Sequence, residues 1–303
     1  MAAPGTAASE PRNVGAILRV LVAMAMFSAG DATLKQLVAT YGVGQVLFLS
    51  GLISLAVLVP VIWRAGELAA IRTKRPIGNL LRIAAGLAGQ ILLALALKRL
   101  PLADTTAIMF SVPLFVTAFS VPLLGEHVGW RRWSAVIVGF GGVLVITRPG
   151  VGALEPAMVL AVGASLGFAL MITATRWLSR TERSLPLLFY MITGYTVYGA
   201  VLTPFEWVTP PAADFALFAA LGLFYTIGYF MEVRALSLAP VGVITPFMYT
   251  ALLWAVLFGW LAWGELPTAN VWAGAAIMVA SGLYILFREI KAHATSVTGP
   301  ARL

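Results

Sequence analysis

Ten runs of mostly apolar residues follow one another along this chain, and few folds can accommodate that pattern. They cover about 16–37, 43–63, 78–98, 102–123, 130–147, 155–177, 185–205, 212–235, 240–262 and 268–287. A helix crosses a bilayer in roughly 20 such residues. Lipid offers backbone N–H and C=O groups no water, so these runs must satisfy themselves internally, as helices. The connections are short and rich in Gly, Pro or Arg, and none is long enough for a separate soluble domain. The expected fold class is an all-α membrane protein with ten transmembrane helices. Composition agrees: 60% of residues are hydrophobic and 11% charged, against about 25% charged in a soluble domain.

The net charge of +8 does not point to nucleic acid, because the basic residues punctuate the gaps between apolar runs instead of clustering on one face. With the N-terminus placed inside, 16 of the 20 Lys and Arg fall on the inner side, among them Arg12, Arg64, Arg72, Lys74, Arg75, Arg82, Arg180, Arg183, Arg288, Lys291 and Arg302. Only Lys35, Lys98, Arg99 and Arg148 fall outside. That bias predicts cytoplasmic termini in a bacterial inner (plasma) membrane. The first residues, MAAPGTAASEP, are small and polar, so 1–13 reads as a disordered tail and 289–303 as a cytoplasmic one. The apolar run after the N-terminal tail is too long for a signal-peptide core and carries Asp31 and Lys35, so it reads as a mature helix.

The chain resembles itself. ALKRLPLADTTAIMF…LLGEHVGWRRW parallels ALSLAPVGVITPFMY…LAWGELPTANVW, pairing Ala96 with Ala235, Pro101 with Pro240, Gly125-Glu126 with Gly264-Glu265 and Trp133 with Trp272, each 139 residues apart. Lys35 matches Arg176 at an offset of 141. The expected units are 14–149 and 150–288, five helices each. Five is odd, so the second unit enters from the opposite face, and the repeats are inverted. Secondary carriers use that architecture to rock two halves about a midplane site.

The segments MFSAGDATLKQL, ALKRLPLADTTAIMFSVPLFV, LLGEHVGWRRW and GFGGVLVITRPG resemble the EamA-type half-unit of the drug/metabolite transporter superfamily, and the second copy is similar to its second half. The resemblance covers about residues 14–288. It implies a central cavity lined by helices one, three, four, six, eight and nine, with five and ten outside. It also implies a carrier of metabolites, such as the YddG-type amino-acid exporters. Where many relatives carry an Arg in the second helix this chain has Ser50, so a role of that Arg does not transfer.

Ionisable groups inside a span are costly and therefore candidates. Asp31 and Glu232 stand out as substrate or coupling carboxylates. Asp31 lies four residues before Lys35, a spacing that permits an ion pair on one helix face; a structural pair and a functional role both stay open. Glu232 lies near Arg234, and a terminal ion pair competes with coupling. Arg82 reads best as an inner-surface anchor. Gln90 lies mid-span and is expected to face the cavity or a neighbouring helix. Its repeat mates bring in Tyr225 and Tyr229; Phe110, Tyr249 and Trp254 complete a candidate substrate path. Pro113 and Pro246 each remove one helical hydrogen bond and are candidate hinges beside Ser111 and Thr245. Trp63, Trp130, Trp133, Trp207, Trp263 and Trp272 sit at span ends and fit an interfacial belt. Glu126 and Glu265 read as architectural helix ends, and the small residues at Gly139–Gly142 and Gly274–Ala276 as close-packing surfaces.

Enzyme chemistry finds no footing. There is no cysteine, the only histidines are His127 and His293, and no Walker motif or Ser/His/Asp set exists. GFGG lies inside a span and is no nucleotide loop. No catalytic residue, cofactor, metal or nucleic-acid partner is expected; the partners are a small-molecule substrate and the lipid bilayer, with the chain a monomer or weak homodimer. The leading expectation is a secondary transporter working by alternating access, most simply an exporter of amino acids including aromatic and neutral ones, with flux facilitated or loosely coupled to protons. The alternatives are an importer of a nucleoside- or vitamin-like metabolite and, in another class, a non-transporting membrane scaffold.

Overall fold

The computed structural model describes the backbone of residues 10–64, 66, 73–126, 128–148, 155–179, 181–182, 184–239 and 241–297. His127, Arg72, Arg180, Arg183, Pro240 and Arg302 lie outside the described residues, as do the side chains of Arg12, Thr245, Arg288, Lys291 and His293.

Helices account for nearly all of it: α1 (Glu10–Thr40), α2 (Val43–Arg64), α3 (Pro76–Leu97), α4 (Leu102–Met109), α5 (Val112–Leu124), α6 (Trp130–Thr147), α7 (Pro156–Leu178), α8 (Ser184–Glu206), α9 (Asp214–Leu238), α10 (Val241–Met248), α11 (Ala251–Trp263) and α12 (Ala269–Val297). Taken with α4–α5 and α10–α11 as single spans, these are the ten expected runs. Nine spans among the described residues are long and apolar enough to cross a membrane. The tenth, α6, is the weak one, because Arg131 and Arg132 dilute its 18 residues. Two ends differ from expectation. Helix α1 starts within the expected tail, at Glu10, and α12 runs on to Val297.

The two composite spans are interrupted at matching places. Phe110 N–H bonds Ala107 C=O (3.2 Å) and Ser111 N–H bonds Ile108 C=O (2.9 Å); Thr250 N–H bonds Phe247 C=O (3.1 Å). These i→i−3 bonds tighten each helix for one turn, a common mark of a hinge. Pro113 lies just past the first tightening, whereas Pro246 lies before the second, so the breaks match across the repeat and the prolines do not. Both spans end in the same cap. Gly125 (φ 68°) and Gly264 (φ 67°) adopt the left-handed conformation. Glu126 N–H then reaches back to Ser120 C=O, and Glu265 N–H to Gly259 C=O, each 3.2 Å. With Gly125 N–H bonding Val121 C=O and Gly264 N–H bonding Trp260 C=O, each end is a left-handed glycine cap, for which glycine pays no Cβ penalty.

Helix pairs from opposite halves pack together: α1 with α9, α3 with α7, α2 with α8 and α6 with α12. Small residues allow it. A Cβ on Gly142 would lie 2.7 Å from Gly274 C=O, and one on Gly167 2.7 Å from Gly89. The face where α1 begins is called here the near face, and the one where it ends the far face. At the far face one buried cluster draws on both halves: Leu34, Leu37, Leu93, Leu97, Leu102, Ala164, Phe218, Leu221 and Ala255. The corresponding near-face cluster is built from α1, α9 and α10.

Candidate functional site

Below the far-face plug, α1 and α9 bring polar groups together. Tyr225 O–H donates to Asp31 Oδ1 at 2.7 Å. Gly30 makes room for this: a Cβ there would meet the Tyr225 ring at 2.9 Å. The Gln90 amide, from α3, interacts with the same hydroxyl. Phe27 lies 6.5 Å from the rings of both Tyr225 and Tyr229, edge-on to the latter. Glu232 continues the stripe beside Tyr229, while Arg234 lies over Phe230 at 5.2 Å. Across from them Tyr195 O–H points to Met171 Sδ at 3.9 Å. Gln90 is buried; Phe27, Asp31, Tyr195, Tyr225 and Tyr229 are only half-buried although they point between helices. These side chains therefore stay partly accessible.

Phe110 and Tyr249 meet each other, edge to face at 5.1 Å, and the Tyr249 hydroxyl packs against Gly282 of α12. Trp254 stacks on Phe258 at 6.1 Å and packs on the near-face cluster beside Phe27. The structure thus gathers Asp31, Gln90, Tyr225 and Tyr229 in one place, with Trp254 adjoining. Phe110 and Tyr249 form a separate contact at the helix breaks. Pro113 and Pro246 are exposed on the outer surface.

Two readings are corrected. Asp31 does not pair with Lys35: Asp31 turns to Tyr225, and Lys35 donates to Glu265 Oε1 (2.5 Å), Glu265 Oε2 (2.7 Å) and Leu100 C=O (3.0 Å). Tertiary partners outcompete the i, i+4 neighbour, whose pairing is worth only about 0.3–0.5 kcal/mol. This lysine also lies over an end-of-span ring: Lys35 Nζ is 4.8 Å from the Trp263 ring centroid. Arg82 is no surface anchor, being 1% exposed. It donates to Leu187 C=O (2.6 Å) and Asn79 Oδ1 (3.3 Å), because a buried guanidinium must spend its donors internally.

That arginine ends a near-face network. Asn79 donates to Glu182 Oε2 (2.9 Å), and Glu182 Oε1 accepts from Thr73 Oγ1 and from the backbone N–H of Lys74 and Arg75 (both 3.2 Å). Partial burial alone would raise the Glu182 pKa; the hydrogen bonds outweigh it and hold the carboxylate below its usual range.

The sequence reading also passes over Asp104, in the first turn of α4. It is 9% exposed, and its Oδ1 has no partner.

Comparison with known proteins places this geometry. The profile of the EamA-like transporter family matches twice, over residues 14–148 and 155–287. The chain belongs to that family. An S-adenosylmethionine uptake transporter of Rickettsia bellii is 27% identical over 277 residues, covering 91% of this chain and 95% of that one. A riboflavin transporter of Vibrio cholerae is 28% identical, covering 79% and 81%. The pseudopaline exporter CntI of Pseudomonas aeruginosa is 27% identical, covering 88% and 94%. A solved crystal structure shares the fold, with a TM-score of 0.59 at 18% identity over 92% of this chain and 97% of that one. The EamA-like carrier described here is thus a multi-pass membrane protein of a transporter family.

Proposed function

We propose that this EamA-like protein is a secondary carrier that moves a small, ring-bearing metabolite of nucleoside or vitamin type across the bacterial inner membrane by alternating access. The observation that carries this reading is the half-buried group of Phe27, Tyr225 and Tyr229 around Asp31 and Gln90. Aromatic faces stack on a planar ring. A carboxylate beside them favours a substrate with a cationic group, and a buried amide supplies orientation. Relatives named for S-adenosylmethionine uptake and riboflavin transport support substrates of that size. The 16 inner basic residues support cytoplasmic termini, and the double family match supports two inverted five-helix units at 14–149 and 150–288.

A second reading is export of amino acids, aromatic and neutral ones included. Asp31 beside aromatic rings would suit an α-ammonium group and its side chain, and one relative is named an exporter. Counterflow in proteoliposomes loaded with labelled S-adenosylmethionine, riboflavin or phenylalanine separates the two. Exchange of either of the first two, lost in Tyr225→Ala, supports the first reading. Phenylalanine exchange alone supports the second, and no exchange across a broad metabolite panel favours a non-transporting scaffold.

A further inference from the structure

The two repeats exchange counter-charges. Lys35 of the first half is held by Glu265 of the second, at the far face; Arg176 of the second half is held by Glu126 of the first, at the near face. The pairs are unequal. The far pair is tight, with its side chains 11% and 25% exposed. Its Glu265 also accepts from Leu102 N–H at 3.1 Å, capping α4. The near pair is 3.5 Å long and 46% and 37% exposed, beside a depression of about 570 Å³ lined by Val121, Gly125, Glu126, Val128, Gly129 and Trp133. Helix α4 packs on α11 at the far face, while among the described residues the equivalent helices α10 and α5 make no comparable contact at the near face. The far ends of the two halves are thus held together more tightly by these contacts than the near ends.

Asp104 belongs to the far end only; its repeat mate is Val243. The charged groups that face it are Glu265, from the end of α11, and Lys35, from α1. The helices packed on α4, namely α6, α7, α11 and α12, join it in an apolar cluster that includes Ala103, Ile108, Val143, Ala157, Leu252 and Val271. The remaining charges of the far face near α4, namely Lys98, Arg99, Arg148 and Glu155, are exposed. A lysine has three donors. Those of Lys35 already go to Glu265 Oε1, Glu265 Oε2 and Leu100 C=O, leaving none for Asp104. Asp104 thus shares one cation with Glu265 and has no hydrogen bond from it, an arrangement in which a second buried negative charge is costly and binding a proton removes the cost.

We propose that Asp104 is a proton-binding site of the closed far gate, and that loss of its proton opens that gate by drawing Lys35 away from Glu265. This rests on the carrier reading above and adds a proton to its cycle. The O–H bond of the carboxylic acid breaks, the proton passes to far-face water, and the carboxylate left behind competes with Glu265 for the one cation between them. Closing the gate takes the proton up again.

The chain has no cysteine, so Thr106→Cys, one turn deeper than Leu102, gives a single thiol behind the gate. A membrane-impermeant maleimide is applied to spheroplasts and to inside-out vesicles. The far face is taken as the side on which Thr209→Cys reacts, and that exposed loop thiol corrects for the pH dependence of the reagent. One proton released per opening makes the corrected far-side rate rise about tenfold per pH unit while the protonated form dominates. Asp104→Asn should label slowly and without pH dependence, and Asp104→Glu should keep the dependence with a displaced midpoint. A flat profile in the otherwise native chain, or the same slope in Asp104→Asn, overturns the proposal. If Asp104→Asn fails to fold, an undisplaced midpoint in Asp104→Glu overturns it and a displaced one supports it. Labelling needs no substrate, so a gate that responds to pH in a protein that moves no metabolite would sink the carrier reading and leave this one standing.

Discussion

Phe110 and Tyr249 are repeat mates, 139 residues apart, and their rings meet edge to face at 5.1 Å where both composite spans tighten. Such a contact adds about 0.5–1.5 kcal/mol beyond the area it buries. Phe110→Ala should lower the thermal midpoint of the purified protein, at a cost of about 2–4 kcal/mol. The double variant with Tyr249→Ala should cost less than the sum of the singles by about 1 kcal/mol. Strict additivity would mean that the rings stabilise separate packing units.

Reporter fusions check the orientation. Fusions at Ala294 and in the connection near Arg72 should read as cytoplasmic, and one near Pro210 as external, because 16 of 20 basic residues would then lie inside. An external signal at Ala294 contradicts the ten-span topology with both termini inside.

Replacing Gln90, Tyr229 or Trp254 with Ala should change the half-saturation concentration or the flux more than replacing Trp63 or Trp207. The last two are 64% and 47% exposed at span ends. Initial rates at matched expression decide it; equal effects across the two sets count against the substrate path.

Asp31→Asn keeps the side chain's size and an acceptor for Tyr225 while removing the charge. Exchange at equal pH on both sides should persist, with a half-saturation concentration raised about tenfold, the scale of one charged hydrogen bond. Complete loss of exchange in a well-folded variant would give the Asp31 charge an obligatory role.

Glu182 sets a pH dependence of stability. Its folded-state pKa lies below the ordinary value of 4.5. The stabilisation it contributes is thus fully present above that value and is lost as pH falls through the folded pKa. Thermal melts from pH 7 downward should show Glu182→Gln flattening the acid limb below about pH 4.5. Parallel curves for the variant and the native protein would mean that the Thr73–Asn79–Arg75 bonds add nothing.

Long-range order was legible where the bilayer imposed it. The expected run 43–63 became Val43–Arg64 and 130–147 became Trp130–Thr147, because hydrophobic length is read directly by lipid. The repeat offset pointed to Tyr225 and Tyr229 before any contact was known; Tyr225 meets Asp31 and Gln90, while Tyr229 packs edge-on to Phe27. What failed was partner choice. Neighbour spacing paired Asp31 with Lys35, yet each found a better partner on a helix about 190–230 residues away. Spacing along one helix cannot see that choice. Asp104 was missed because Pro101 and Leu102 mark it as a helix start, where an acid is unremarked; only its burial beside a lysine with no donor left makes it unusual.

The ion pairs Lys35–Glu265 and Arg176–Glu126 both join one half of the chain to the other. Lys35 and Glu126 come from residues 14–148, Arg176 and Glu265 from 155–287. During synthesis, then, the first half must wait in the bilayer with a lysine at one end and a glutamate at the other, each lacking its counter-charge. Docking of the second half neutralises both ends in one event. Assembly is therefore checked at both ends of the bundle: an orphaned or wrongly inserted half carries polar surface that a membrane protease or chaperone can recognise.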